Sequence, residues 1–262
     1  MSAPGNGKGS GLPGAEWLIG VDDTDNISSR GTGFLVQRLV EALEEAGLGR
    51  GLGATRHQLL VDPRIPYTSH NSSACIAWDG PDDAGPAIAE FCGHFLRTRS
   101  AEGSDPGLAV AGHAATSDGA SRARLADFGQ RAKAEILDLD EARRVAAGCG
   151  VHASGHGGTE GGIIGAVAAV GLHLGGHDGF FLWMPGIRQL LGEATYSELR
   201  AQVPIDAARD TGGREPQPED RIQLGDWVRP ILAGGRAVLL LEPSNAETTP
   251  WRVAPREVVR TH

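Results

Sequence analysis

An apolar run that ends directly in carboxylates constrains this chain more than any other feature. Trp17-Leu18-Ile19-Gly20-Val21 reads as a buried strand, and Asp22-Asp23-Thr24-Asp25 follows with no spacer. Three negative charges within four residues repel one another and lose hydration at a strand end. A divalent cation relieves both costs. Hard oxygen donors in this position suit Mg²⁺, which keeps some waters and shares its remaining sites with substrate phosphates. Alternation along a strand would set Asp23 and Asp25 on one side and Asp22 on the other, and spacing does not say which two bind. An acidic surface turn is the competing reading.

Beyond the acidic loop, Ser28-Ser29-Arg30-Gly31-Thr32-Gly33 leads into a helical pattern. Leu35, Val36, Leu39, Val40 and Leu43 recur at helical spacing, and Gly47 ends it. Helix starts present unpaired N–H groups to anions, so Gly31 and Thr32 are candidate phosphate contacts, with an ordinary N-cap as the alternative for Thr32. No Gly-Lys-Ser/Thr ending is present, so this is not a Walker A loop. A second glycine loop spans residues 154–165 and includes Gly157, Gly158, Gly161 and Gly162. It lies between a strand and an apolar helix and offers a second phosphate cradle, the alternative being a flexible connector. The proline-stiffened loop Asp62–Ser73 carries Arg64, Thr68, His70 and Asn71 as candidate substrate contacts.

The remaining pattern mixes strands and helices without clean βαβ alternation, which favours an α+β fold. Strands are expected at 57–61, 74–78, 108–111, 151–153 and 180–183. Helices are expected at 84–97, 120–134, 139–147 (with Asp138 and Glu141 as its capping signal) and 163–170. Residues 205–219 read as a long loop. Trp227–Leu232 and Ala237–Leu241, split by Gly234-Gly235, read as a hairpin whose Pro230 marks an edge strand. Residues 1–14 read as a disordered tail, 15–175 as the catalytic core and 176–262 as a smaller α+β part. The core can be discontinuous, because its two glycine-bearing loops lie far apart in the chain yet can share one ligand.

The formal net charge of −9 disfavours non-specific nucleic-acid binding. The short basic groupings singled out, Arg97–Arg99 and Arg122–Arg124, read as solvated helix faces. Three scattered cysteines exclude a paired-cysteine zinc site and a disulfide scaffold. His152 and His156 read as hydrogen-bonding or substrate-contacting groups, and His173 and His177 as groups serving a helix C-terminus. With no transmembrane-length run or signal sequence, a reducing cytoplasm is the expected home.

Several blocks together resemble the archaeal agmatinylcytidine synthetase family, which modifies an isoleucine tRNA. They are Gly20–Asp25 with Gly31-Thr32, the loop Pro63–Ala74, and Gly161–Gly171, with weaker echoes at Phe128–Ala134 and in the hairpin after Asp226. The resemblance implies a kinase-like catalytic domain carrying the acidic motif, accompanied by a ferredoxin-like domain. It implies ATP as substrate, Asp22, Asp23 and Asp25 as metal or phosphate ligands, and Thr32 as a phosphoacceptor. The family's Lys-Thr-Arg triplet reads Thr68-Ser69-His70 here, its cysteine before the threonine is Gly31, and its OB-fold and zinc ribbon have no counterpart. The expectation is therefore an ATP- and Mg²⁺-dependent transferase or ligase with a small-molecule or nucleoside acceptor. Modification of tRNA with a partner protein and a nucleotide-binding module without turnover are the alternatives.

Overall fold

The computed structural model describes residues 14–65, 71–246 and 248–261. The tail expected at 1–14 therefore lies outside the described residues except for Gly14. The chain starts β1 (Trp17–Asp22), α1 (Thr32–Glu45), β2 (Arg50–Gln58), β3 (Ser72–Asp79), α2 (Gly85–Arg99), β4 (Gly107–Gly112). These strands lie in the order β4-β1-β3-β2, every neighbouring pair antiparallel. That is the ferredoxin-like split βαβ order, and it contains the acidic loop.

Period-two alternation divides this sheet between two helical layers. Ile19, Val21, Ile76 and Trp78 pack with α1 and α2 residues such as Val36, Leu39 and Ile88. Leu18, Cys75, Ala77 and Ala109 face the other way, into a second core. That core is built by α3 (His113–Ser117), α4 (Gly119–Arg131), α5 (Leu139–Gly148) and α6 (Gly162–Gly175), with β5 (His152–Gly155) pairing β4 at the sheet edge. Asp138 caps α5 by accepting from the Glu141 amide at 2.7 Å, as its spacing predicts. Gly176, with φ 73°, closes α6 in the left-handed conformation.

After α6 the chain forms β6 (Phe180–Trp183), which pairs β2. Next come β7 (Glu193–Thr195), α7 (Tyr196–Gln202), β8 (Ala207–Arg209) and β9 (Arg221–Gln223). The chain ends with β10 (Ile231–Ala233), β11 (Arg236–Ala246), β12 (Thr249–Val253) and α8 (Arg256–Val259). The strand path continues from β6 through β10, β11, β12 and β9 to β7, with β8 on β11. Mixed α+β architecture is thus what the chain adopts. No described helix is long and apolar enough to cross a membrane.

Several local expectations shift. Of the strand expected at 57–61 only His57 and Gln58 belong to β2, which begins at Arg50 with a glycine-rich stretch that hides the period-two signal, and residues 59–61 are not in a strand. The hairpin is present, but its first strand is only 231–233, so Pro230 precedes it. There the Pro230 carbonyl accepts from the Phe181 amide at 2.7 Å. The turn is set by Gly234 and Gly235, both with positive φ as a type I′ turn requires. The stretch 205–219 holds a short strand, because β8 finds a parallel partner in β11. Arg122 is not a solvated group: its guanidinium donates to the Thr116 and Leu174 carbonyls.

His173 does not serve a helix end. It is fully buried inside α6, with Nδ1 2.9 Å from Thr55 Oγ1. Thr55 Oγ1 lies 2.8 Å from His57 Nε2, and His57 Nδ1 lies 2.9 Å from Asp178 Oδ1. Lys133 completes the chain by pairing with Asp178. The carboxylate draws the proton of His57 to Nδ1, so Nε2 accepts from Thr55 and Thr55 accepts from His173. His173 Nε2 is left buried without a partner. Burial lowers the pKa of both imidazoles, that of His173 to about 3.

Candidate active site

The acidic loop stands where it does because α6 lies almost in contact with the β1 backbone. A Cβ on Gly20 would sit 2.1 Å from the Ala166 carbonyl oxygen, and one on Gly107 would sit 1.9 Å from the Gly162 carbonyl carbon. A Cβ on Gly165 would strike the Asp22 carboxylate at 1.8 Å. These missing side chains let the start of α6 rest beside the end of β1, more than a hundred residues away in sequence. The two glycine-bearing loops therefore meet at one cavity of about 420 Å³.

Asp22, Asp23, Asp25, Thr32, Gly161 and Gly162 all line that cavity. Arg64 and Asn71 line it from the opposite side. Gly31 lines an adjoining cavity of about 360 Å³, which shares Asp25, Thr32 and Ser72 with the first. Gly157 lies against Asp105, where a Cβ would be 2.4 Å from its Cα, and Gly158 faces open space. Thr68 and His70 lie outside the described residues.

A fourth carboxylate joins the three read from sequence. Asp105 accepts from the backbone amides of Glu160 at 2.9 Å and Gly161 at 2.8 Å, and from both the amide and the hydroxyl of Thr159. The donors that a phosphate cradle would offer at residues 159–161 are therefore engaged by a side chain of the protein itself. Burial opposes the charge on Asp105, but these hydrogen bonds outweigh it and hold its carboxyl below the usual range. The sequence signal for Asp105 was its place just before β4, visible only once β4 is known to pair with β1 through Asp22 and Gly107.

Electrostatics set the acidic residues apart. Burial first, then repulsion from Asp105 and Asp25, pushes the pKa of Asp23 up to about 6. Burial, followed by the Asp23 charge, raises Asp22 well above its ordinary value. Asp23 and Glu160 are also the two residues other than glycine with positive φ among those described. Backbone strain of this kind persists where surrounding structure overdetermines it, and both instances flank this cavity.

Thr32 is not the N-cap of α1. Gly31 takes that position, and no side chain caps the helix start. This leaves the Thr32 hydroxyl for Asp25 Oδ1 at 3.2 Å, with the Thr24 hydroxyl at the same distance. Arg64 is forked onto Asp62, its Nε 2.8 Å from Oδ1. The Asn71 side chain donates to the Leu60 carbonyl at 2.6 Å, holding the loop against β2. His156 bonds Ser154 and Arg97, and His152 bonds Ser154.

Among the described residues no three His, Cys, Asp or Glu side chains form a ready-made metal cluster. The donor set nonetheless suits a hard cation that also binds substrate: Asp22, Asp23, Asp25, Asp105 and Glu135 line the cavity, and burial and mutual repulsion raise the proton affinity of Asp22 and Asp23. Mg²⁺ requires only one or two of them when phosphates supply further oxygens.

No family model matches the sequence, and no curated protein does. Among solved structures the chain is similar to a tRNA fluorescent labelling enzyme, with 25% identity and a TM-score of 0.49 over 59% of this chain and 35% of that one. It is also similar to a tRNA agmatidine synthetase in its apo form, with 24% identity and a TM-score of 0.48 over 59% and 35% of the two chains. The complex of that synthetase with tRNA and ATP aligns with 25% identity and a TM-score of 0.49, covering 59% of this chain and 36% of that one. The chain spans little more than a third of the length of these structures.

Proposed function

We propose that this chain is an ATP- and Mg²⁺-dependent phosphoryl-transfer or ligase-type enzyme acting on a small-molecule or nucleoside acceptor. One observation carries the reading: the acidic strand end, Thr32 and the start of α6 converge on a single cavity although they are distant in sequence. Asp22, Asp23 and Asp25 would hold Mg²⁺, and Asp105 would stand behind them. Bound there, the ion supplies charge neutralisation for the phosphate being transferred.

The chain's own residues have separable roles. Gly161 and Gly162 let the loop fold over Asp105 and fix that carboxylate on the cavity wall. Asp25 accepts the Thr32 hydroxyl proton in a hydrogen bond, which orients the oxygen and raises its nucleophilicity. This hydrogen bond supports Thr32 as a phosphoacceptor or as a hydroxyl contact to phosphate.

The test is to incubate the pure protein with ATP and Mg²⁺, then read intact mass and nucleotide products. Added phosphate on Thr32, or ATP conversion to ADP or AMP, is expected. Asp23→Asn should reduce either signal by at least about 100-fold, the scale of losing one charge-stabilising group. Wild-type turnover in Asp23→Asn would overturn the assignment.

A further inference from the structure

We infer that the cavity adjoining Thr32 is the acceptor subsite and that it takes the phosphate group of a phosphate-bearing acceptor. The inference rests on the phosphoryl-transfer reading of the first cavity and adds the chemical class of the second substrate. The two cavities share Thr32 and Asp25 as a common wall, so a molecule in one lies beside a phosphate in the other.

Their charges are opposite. The first cavity is lined by four aspartates and Glu135, with one arginine, Arg64, that is paired to Asp62, whereas Asp25 is the one carboxylate among the described residues lining the second. That second cavity instead presents Arg56 and Arg260, contributed by β2 and by the end of α8. Neither arginine is ion-paired to a carboxylate among the described residues. In a chain with a net charge of −9, two arginines lining one cavity and close enough to repel each other are not a by-product of composition. Burial and the Arg260 charge both disfavour the cation on Arg56, and a bound anion would remove that cost.

The rest of the lining fits the same ligand. The uncapped start of α1 supplies N–H groups and a partial positive charge from a helix of 14 residues. Guanidinium forks match phosphate geometry in a way that a single ammonium does not. Arg56 stands over the Phe180 ring at 5.8 Å, and Phe180 meets Trp227 edge-on at 5.5 Å. Both rings line the cavity and offer an apolar, aromatic surface beside the anion site. A volume of about 360 Å³ suits a small phosphate ester.

The test uses calorimetric titration of the full chain without ATP or Mg²⁺. The probes are inorganic phosphate, a nucleoside 5′-monophosphate, the matching nucleoside and a short single-stranded oligonucleotide. The monophosphate should bind at least about tenfold more tightly than the nucleoside. Arg56→Gln and Arg260→Gln should each weaken it by about tenfold, the value of one charged hydrogen bond. Arg260 is exposed, so its replacement leaves the fold intact. Because the titration contains neither ATP nor Mg²⁺, its outcome is independent of ATP turnover, and failure of this inference is read separately from failure of the ATP reading. Arginine-dependent binding of the oligonucleotide alone would keep the anion site and assign its phosphate to a polynucleotide backbone. Equal affinities in wild type and both arginine variants, or no phosphate binding by any probe, would overturn the proposal.

Discussion

Gly20→Ala tests whether the closeness of β1 and α6 builds the site. The new Cβ would begin 2.1 Å from the Ala166 carbonyl oxygen and 2.9 Å from its carbonyl carbon. Ordinary contact begins near 3.4 Å, so α6 must retreat by about 1.3 Å along that direction. The obstacle is helix backbone, which cannot rotate aside as a side chain can. A gap of about 0.5–1 Å already forfeits a quarter to a half of the dispersion attraction, so this one forfeits at least about half along the opened seam. Val167, Ala169 and Val170 of α6 are all fully buried and would lose part of their packing. Overpacking in a tight core costs about 1–3 kcal/mol, and a backbone obstacle places this case near 3 kcal/mol. Gly158→Ala is the control, because nothing lies within 4 Å of its added carbon. Urea unfolding should show a loss of about 3 kcal/mol for Gly20→Ala and within about 0.5 kcal/mol of wild type for Gly158→Ala. Equal stability of the two variants would refute the argument that absent side chains position the acidic loop.

Other expectations follow from the hydrogen-bond networks. Asp105→Asn replaces one acceptor oxygen by a donor and should cost about 1–2 kcal/mol, with faster hydrogen exchange at the Glu160 and Gly161 amides. Unchanged exchange there would show that the loop holds itself. His173 is buried neutral, with its folded pKa lowered from 6.5 to about 3, so the unfolded chain takes up the proton first. Its contribution is fully present above pH 6.5 and falls as pH drops through the window from 6.5 to about 3, at up to about 1.4 kcal/mol per pH unit. His173→Leu should flatten that slope in urea unfolding between pH 6.5 and 5, and parallel curves would count against it. Asp178→Asn removes the charge that Lys133 and His57 share, and should destabilise by about 3 kcal/mol. A melting temperature equal to wild type would show that the pair is not holding α4 to the sheet.

The sequence announces those parts of the site that are contiguous. An apolar strand ending in carboxylates is a local pattern, and Asp22, Asp23, Asp25 and Thr32 fall on the cavity that it implies. Gly161 and Gly162 were visible as a loop before an apolar helix, but their immediate partner was not. That partner, Asp105, is 54 residues from Thr159, and only strand pairing brings it there. Arg56 and Arg260 are isolated in sequence, so a search for basic runs passes over them, whereas the sheet and α8 place them on one cavity. His173 misled for a related reason. It lies in the last turn of α6, where helix-end duties are common, but the helix is buried on all sides and its interior partner, Thr55, is 118 residues away. Residues 50–56 escaped because Gly51 and Gly53 interrupt the alternation that marks a strand.

The β6 strand has a consequence for how the two cavities can change. Its four residues join the strands around the acidic cavity to those of the carboxyl-terminal part, through the Ile231–Phe180 pair and the bond from the Phe181 amide to the Pro230 carbonyl. Phe180 also lines the basic cavity, whereas every described residue of the acidic cavity comes from positions before β6. The described lining of the acidic cavity thus comes from the earlier part of the chain, and the carboxyl-terminal part contributes Trp227 and Arg260 to the neighbouring one. A change confined to the stretch from β6 onward would therefore alter the lining of the basic cavity while every described residue of the acidic one stayed in place.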